Sequence, residues 1–220
     1  MIVLRKTETI IILVVWGFFI ISGFANLSGK HQEAEQIIAP LLLMFTSFIL
    51  FLLGLQRAAS IGWYLIWAVS VWLIGFGIEV LGTATTFPFG MYYYGSGLGP
   101  KIFDVPIVMG CAWLKIILLG ASILYFRTQL AWLGAGIASL FIVCYDLILE
   151  PAAEVLEYWY WMTPYPPIQN YIAWFSVSFI LLLPVFYGRL FTAPFPRWCV
   201  HLFFAEQLYF LIVLSPYMFN

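Results

Sequence analysis

Charge is what this sequence has least of. Of its 220 residues only 9% are Asp, Glu, Lys or Arg, and they balance to a net charge of −1. Soluble domains carry roughly 25% charged residues, so a chain wetted on all sides is excluded. No basic block is present to grip nucleic acid or an anionic surface, so nucleic acid is not expected as a partner. Cysteine is scarce as well. Cys111, Cys144 and Cys199 are odd in number and lie in apolar runs, so no disulfide framework is indicated, and no zinc spacing occurs. There is no Asp-rich repeat of the kind that holds a diphosphate through a metal, which argues against a prenyl transferase. No metal is therefore expected. The last apolar run has no lysine for a retinal Schiff base, and Lys115, in the fourth run, is the only intramembrane candidate.

What the chain has in quantity is apolar sequence, 64% of it, with 20% aromatic. About 20 consecutive apolar residues cross a bilayer, and several such runs occur. The expected fold class is all-α: a polytopic integral membrane protein of about seven transmembrane helices in a single domain, residues 1–220. The spans are read at 9–26, 37–55, 61–81, 105–126, 130–149, 171–190 and 197–215. The start, "MIVLRKTETIIILVVWGFFIISGF", is charged and then apolar like a signal peptide. Its apolar run is long and no A-x-A site follows, which favours a first membrane helix. The connections near 56–60 and 127–129 are short enough to make their flanking helices antiparallel neighbours. Gly75, Gly77, Gly134, Gly136 and Pro184 inside the spans are tolerated in membranes and permit close helix packing.

An odd number of spans puts the termini on opposite sides. Arg5, Lys6, Arg57, Arg127, Arg189 and Arg197 gather on one side, and only Lys30 and Lys101 on the other. The positive-inside rule then places the N-terminus in the cytoplasm of a multi-pass protein of the cell (inner) membrane. Two long connections fall on the outward side. One, 82–104, contains "TTFPFGMYYYGSGLGP"; the other, 150–170, contains "EPAAEVLEYWYWMTPYPPIQN". Both are dense in aromatic residues on backbone broken by Pro and Gly.

Six carboxylates converge on that same end: Glu79, Asp104, Asp146, Glu150, Glu154 and Glu157. Asp146 and Glu150 are one turn apart and share a helix face. The face continues to Glu154 and Glu157 if the helix resumes after Pro151, which a first turn accepts. Carboxylates at membrane depth are costly and usually face a bundle interior or a watered cavity. Burial and neighbouring like charges favour the neutral form, and a carboxylic acid kept neutral can protonate a carbon substrate. Aromatic faces can steady a carbocation, and broken backbone at membrane depth belongs beside a cavity. The plainer alternatives are an interfacial Trp/Tyr belt for Tyr92, Tyr93, Tyr94, Trp159 and Trp161, and solvated interface positions for Glu154 and Glu157. Lys115, about 15 Å into the fourth span, is read as a structural counter-ion. His201 and Glu206 are read as structural or snorkelling groups.

These residues carry a family resemblance. "EVLGTATTFPFGMYYY" from Glu79, "DVP" from Asp104, Trp113, "DLILEPAA" from Asp146, "WYW" from Trp159 and "PIQNYIAW" ending at Trp174 together resemble the carotenoid biosynthesis membrane proteins. That family includes carotenoid 1′,2′-hydratases and is similar to the bisanhydrobacterioruberin hydratases of haloarchaea. The resemblance runs over residues 75–175. It departs from the family at Tyr165, Pro166 and Pro167, where a Gly-rich segment is usual, and at Glu150, where Asp is common. It implies cofactor-free hydration of the terminal double bond of an acyclic end group, with lycopene, γ-carotene or a similar carotenoid as substrate, in contact with membrane lipid. Asp146 or Glu150 would donate the proton. Glu79 or Asp104 would hold and deprotonate the water, with Asn170 hydrogen-bonding it. Phe87, Phe89, Tyr92, Tyr94, Trp113, Trp159 and Trp174 would line the end-group pocket. A homo-oligomer, or contact with other carotenoid enzymes, is compatible with such a role.

Three other functions fit part of the pattern. A proton-initiated carotenoid cyclase shares the first step but must exclude water. A non-catalytic ligand-binding or scaffold protein, or a transporter, requires none of the acids.

Overall fold

The structure, a computed structural model, describes residues 2–27, 32–125 and 130–217. Lys30 and Arg127, two of the charges used for orientation, and the 127–129 connection lie outside the described residues. The described chain forms seven α-helices: α1 (Ile2–Leu27), α2 (Gln32–Arg57), α3 (Ile61–Thr85), α4 (Met109–Leu124), α5 (Ala131–Val155), α6 (Ile168–Tyr187) and α7 (Arg197–Leu214). All but α4 are long and apolar enough to cross a membrane. Their outer faces carry Leu13, Ile21, Ile37, Trp63 and Ile180, large side chains left uncovered by the bundle. The chain is an all-α polytopic membrane protein.

α4 is the central helix. It packs against α2, α3, α5, α6 and α7, and nearly every residue from Met109 to Ile123 is buried. Its 16 residues reach about 24 Å at 1.5 Å per residue. The expected span, 105–126, is longer, because 101–106 folds differently. There β2 (Lys101–Ile102) and β3 (Val105–Pro106) make a tight antiparallel pair through Phe103 and Asp104, both with positive φ. Pro106 has no N–H to offer a helix. The fifth helix departs the other way. Instead of closing near residue 149, α5 runs unbroken through Pro151 to Val155. α6 begins at Ile168, so Asn170 lies in its first turn rather than in the loop.

The two aromatic loops are one structure. β1 (Tyr92–Tyr94) pairs antiparallel with β4 (Trp159–Trp161), in the register Tyr92↔Trp161, Tyr93↔Tyr160 and Tyr94↔Trp159. Successive strand residues point to opposite faces. Tyr92, Tyr94 and Trp159 are buried against the bundle, while Tyr93 and Tyr160 stack on each other outside, 5.4 Å between centroids. The ribbon closes through Gly95, whose N–H donates to Tyr158 O at 2.9 Å. A Cβ on Gly95 would stand 2.2 Å from Glu157 O, so only glycine permits that approach.

Candidate active site

Beneath the ribbon lie three carboxyls, each held differently. Glu79 is on α3, one turn beyond Gly75. The Trp113 side chain packs directly on Gly75, where a Cβ would come within 2.4 Å of it. From there Trp113 Nε1 donates to Glu79 Oε1 at 2.9 Å. The other oxygen, Oε2, accepts from Tyr92 OH at 2.6 Å and Tyr94 OH at 2.7 Å. Burial, and after it the Glu79 carboxyl, pushes both phenols far above their usual range, so each stays a proton donor.

Glu150, on α5, is braced by the opposite strand. Its Oε2 accepts from Trp159 Nε1 at 2.9 Å and Trp161 Nε1 at 2.6 Å, and its Oε1 from Asn170 Nδ2 at 2.9 Å. The same Asn170 nitrogen donates to Asp146 Oδ2 at 2.9 Å. Asp146 is wholly buried, and its Oδ1 meets no donor among the described residues. Asp146 and Glu150, one turn apart on α5, are thus joined through a single amide nitrogen.

Glu79, Glu150 and Asn170 border one small chamber with Phe89, Tyr92, Tyr94, Met109, Trp159, Trp161 and Trp174. Its volume is about 20 Å³, and a cavity of roughly 10–15 Å³ holds one water. Asp146 stands behind this wall. Trp174 forms part of it and stacks on Trp113, 4.5 Å between centroids.

The expected acids separate in space. Glu79, Asp146 and Glu150 come together. Asp104 does not: it sits exposed in the β2–β3 turn, away from the chamber. Phe87 is likewise displaced, 70% exposed, whereas its neighbour Phe89 is buried in the chamber wall. Asn170 uses its amide protons to clamp the Asp146–Glu150 pair, which leaves its carbonyl oxygen as the group able to meet a water. Glu154 is exposed, and Glu157 accepts from Gln36 and Ser96. Two wall residues stand outside the expected pocket: Trp161, read only as a belt residue, and Met109, not singled out at all. The alternation in "WYW" is the signal that pairs Trp161 with Trp159; nothing comparable marks Met109. Glu206 is not a snorkelling group. It is buried, paired to Lys115 Nζ at 2.8 and 2.9 Å, and accepts from Tyr145 OH at 2.8 Å. His201 accepts from Trp16 Nε1 and takes no part in the chamber.

The comparison with known proteins bears on this arrangement. A family described as "Carotenoid biosynthesis protein" matches residues 38–213. The chain belongs to that family. The family match takes in α2 to α7 almost entire and hence every residue of the chamber. A similar relative is a bisanhydrobacterioruberin hydratase of Haloarcula japonica, 29% identical over 133 residues. The alignment covers 54% of this chain and 44% of the relative, so the chain spans less than half of that protein's length. No solved structure matches the chain.

Proposed function

We propose that this carotenoid biosynthesis protein is a hydratase, adding water across the terminal (1′,2′) double bond of an acyclic carotenoid end group. The carrying observation is the water-sized chamber bordered by Glu79 and Glu150, two carboxyls whose hydrogen-bond donors are all neutral. Glu150 delivers to the less substituted alkene carbon the proton it shares with Asp146. The alkene π pair becomes the new C–H bond and leaves a tertiary cation. A water held by Glu79 attacks that cation, forming the C–O bond, and Glu79 takes the proton the oxygen sheds. One water is consumed and no electrons are exchanged. The proton gained by Glu79 returns to the Asp146–Glu150 pair across the shared chamber, through its next water.

The surroundings support each step. Trp159 and Trp174 border the same chamber, and aromatic faces attract cations most when desolvated. Tyr92 and Tyr94 hold Glu79 in one orientation as a base. Glu150 and Glu79 border the reacting space, whereas Asp146 acts through Glu150 as a positioning and proton-sharing residue. Room for one water favours hydration over cyclisation, whose cation must meet a neighbouring double bond instead. By the positive-inside reading, the chamber sits at the outer face of the cell membrane, where water is at hand.

The test is the mass of carotenoids in lycopene- or γ-carotene-producing bacteria with and without the protein. A gain of one water per reacting end, lost in Glu79→Gln and Glu150→Gln, is the expected result. An isomeric product would instead identify a cyclase.

A further inference from the structure

The chamber that holds the acids is too small for the substrate. Its 20 Å³ admits a water but not a gem-dimethyl end group. A second cavity of about 340 Å³ adjoins it, and Met109, Trp159 and Trp174 belong to the walls of both. This larger space is lined from α1, α2, α4, α5, α6 and α7, mostly by apolar side chains. It runs along α4 from Met109 to Ile116, seven residues or about 10 Å. It also reaches the side of the bundle. α1 packs along α7 and α2 along α4, and the cavity lies between them. Phe18 of α1 and Ile38 of α2 line it and are 41% and 54% exposed, on the surface that faces lipid.

We propose that this cavity is the binding chamber for the linear isoprenoid chain of the substrate, which enters sideways from the lipid between α1 and α2, and that Met109 is the movable partition admitting its end group to the carboxyl chamber. This inference rests on the hydration reading. The occupant follows from position: a long apolar molecule dissolved in the bilayer meets this opening first, and the cavity leads to an acid and a water. The partition follows from how its three shared walls are held. Trp159 is fixed by its bond to Glu150, and Trp174 by its stack on Trp113. Met109 has neither restraint, and its unbranched thioether is the side chain that re-shapes most readily. The Lys115–Glu206 pair, covered by Tyr145, forms part of the same wall. Its charges are satisfied by one another, so an apolar chain passes it without stripping an unpaired ion.

Lycopene is the probe, with the full chain in lipid nanodiscs. Lycopene carried per protein is read by absorbance, and hydrated product by mass. Ala112→Phe fills the cavity from α4, and Ala39→Phe does so from α2 should the first variant lose its fold. In a folded filling variant, retained lycopene should be lost, or KM should rise by about tenfold or more with kcat kept, the mark of lost uniform binding. Met109→Phe should keep lycopene bound yet lower kcat, and Glu79→Gln should keep it bound and abolish product. Filling variants that bind and turn over like the parent overturn the proposal while leaving hydration intact. A parent protein that binds no lycopene overturns it too. Binding lost on filling, with no hydrated product from any variant, keeps the chamber and removes the hydration reading.

Discussion

Buried carboxyls stand at two places inside this protein, Glu206 at one and Glu79 with Glu150 at the other, and they are held in opposite ways. Glu206 has a cation, Lys115, on both of its oxygens, with Tyr145 OH as a third partner. Glu79 and Glu150 have none; their partners are tyrosines, tryptophans and an asparagine. Among the described residues, Lys115–Glu206 is the one ion pair. A carboxylate locked to a lysine has its charge settled and serves as a tie between α4, α5 and α7. A carboxyl braced only by neutral donors is held in place yet free to take or give a proton. The difference separates framework from chemistry more clearly than burial does, since Glu79, Glu150 and Glu206 are all buried.

The comparison can be broken from both sides. If Glu79 is the base of the proposed hydration, Glu79→Gln should cut it by roughly 10²–10⁴-fold, the usual worth of a general base, with product mass per folded protein as the measure. Lys115→Met should do the reverse. Leaving Glu206 buried and unpaired should cost about 3–5 kcal/mol of stability, read as a lowered unfolding midpoint in detergent. Lys115→Met with Glu206→Leu should recover most of that loss, and turnover per folded molecule should be far less affected than in Glu79→Gln. A Lys115→Met protein of unchanged stability would falsify the tie. Tyr94→Phe removes one of three donors to Glu79. A hydrogen bond to a charged group contributes about 1.5–3 kcal/mol, so kcat should fall roughly tenfold with KM little changed. Tyr93→Ala is the smallest. Its ring stacks outside on Tyr160, and losing that pair should cost at most about 1 kcal/mol and leave kcat unaltered.

Much of the site was legible because the bilayer makes carboxylates conspicuous. Glu79, Asp146 and Glu150 stood out in runs where no acid is expected, and the four-residue spacing of the last two put them on one face. Asp104 carried the same signal misleadingly: it lies next to an apolar run, but the β2–β3 turn lifts it away before α4 begins. The Lys115–Glu206 pair was half legible. A counter-ion for Lys115 was expected, yet nothing in spacing joins residues 91 positions apart. The ribbon was present as two aromatic triplets on broken backbone, each compatible with an interfacial belt. Alternation puts Trp159 and Trp161 on one face, but only the pairing with β1, which is tertiary, shows that this face is the buried one. The fold class and six of the spans followed from length and hydropathy; α4 was overdrawn because its entry sequence is apolar enough to pass for helix.

The antiparallel register of Tyr92–Tyr94 against Trp159–Trp161 also limits how this loop pair can vary. Sliding one strand by a single residue turns every side chain to the other face. An insertion ahead of Tyr92 that shifts β1 would carry Tyr93 inward and swing Tyr92 and Tyr94 out, removing both phenol donors from Glu79 in one step. A shift in β4 would do the same to Glu150 through Trp159 and Trp161. Length changes should therefore be tolerated in the exposed stretch around Thr163–Tyr165, beyond the ribbon, and rejected within it. Each triplet is in this sense a reading frame: its spelling can be edited, but its phase cannot.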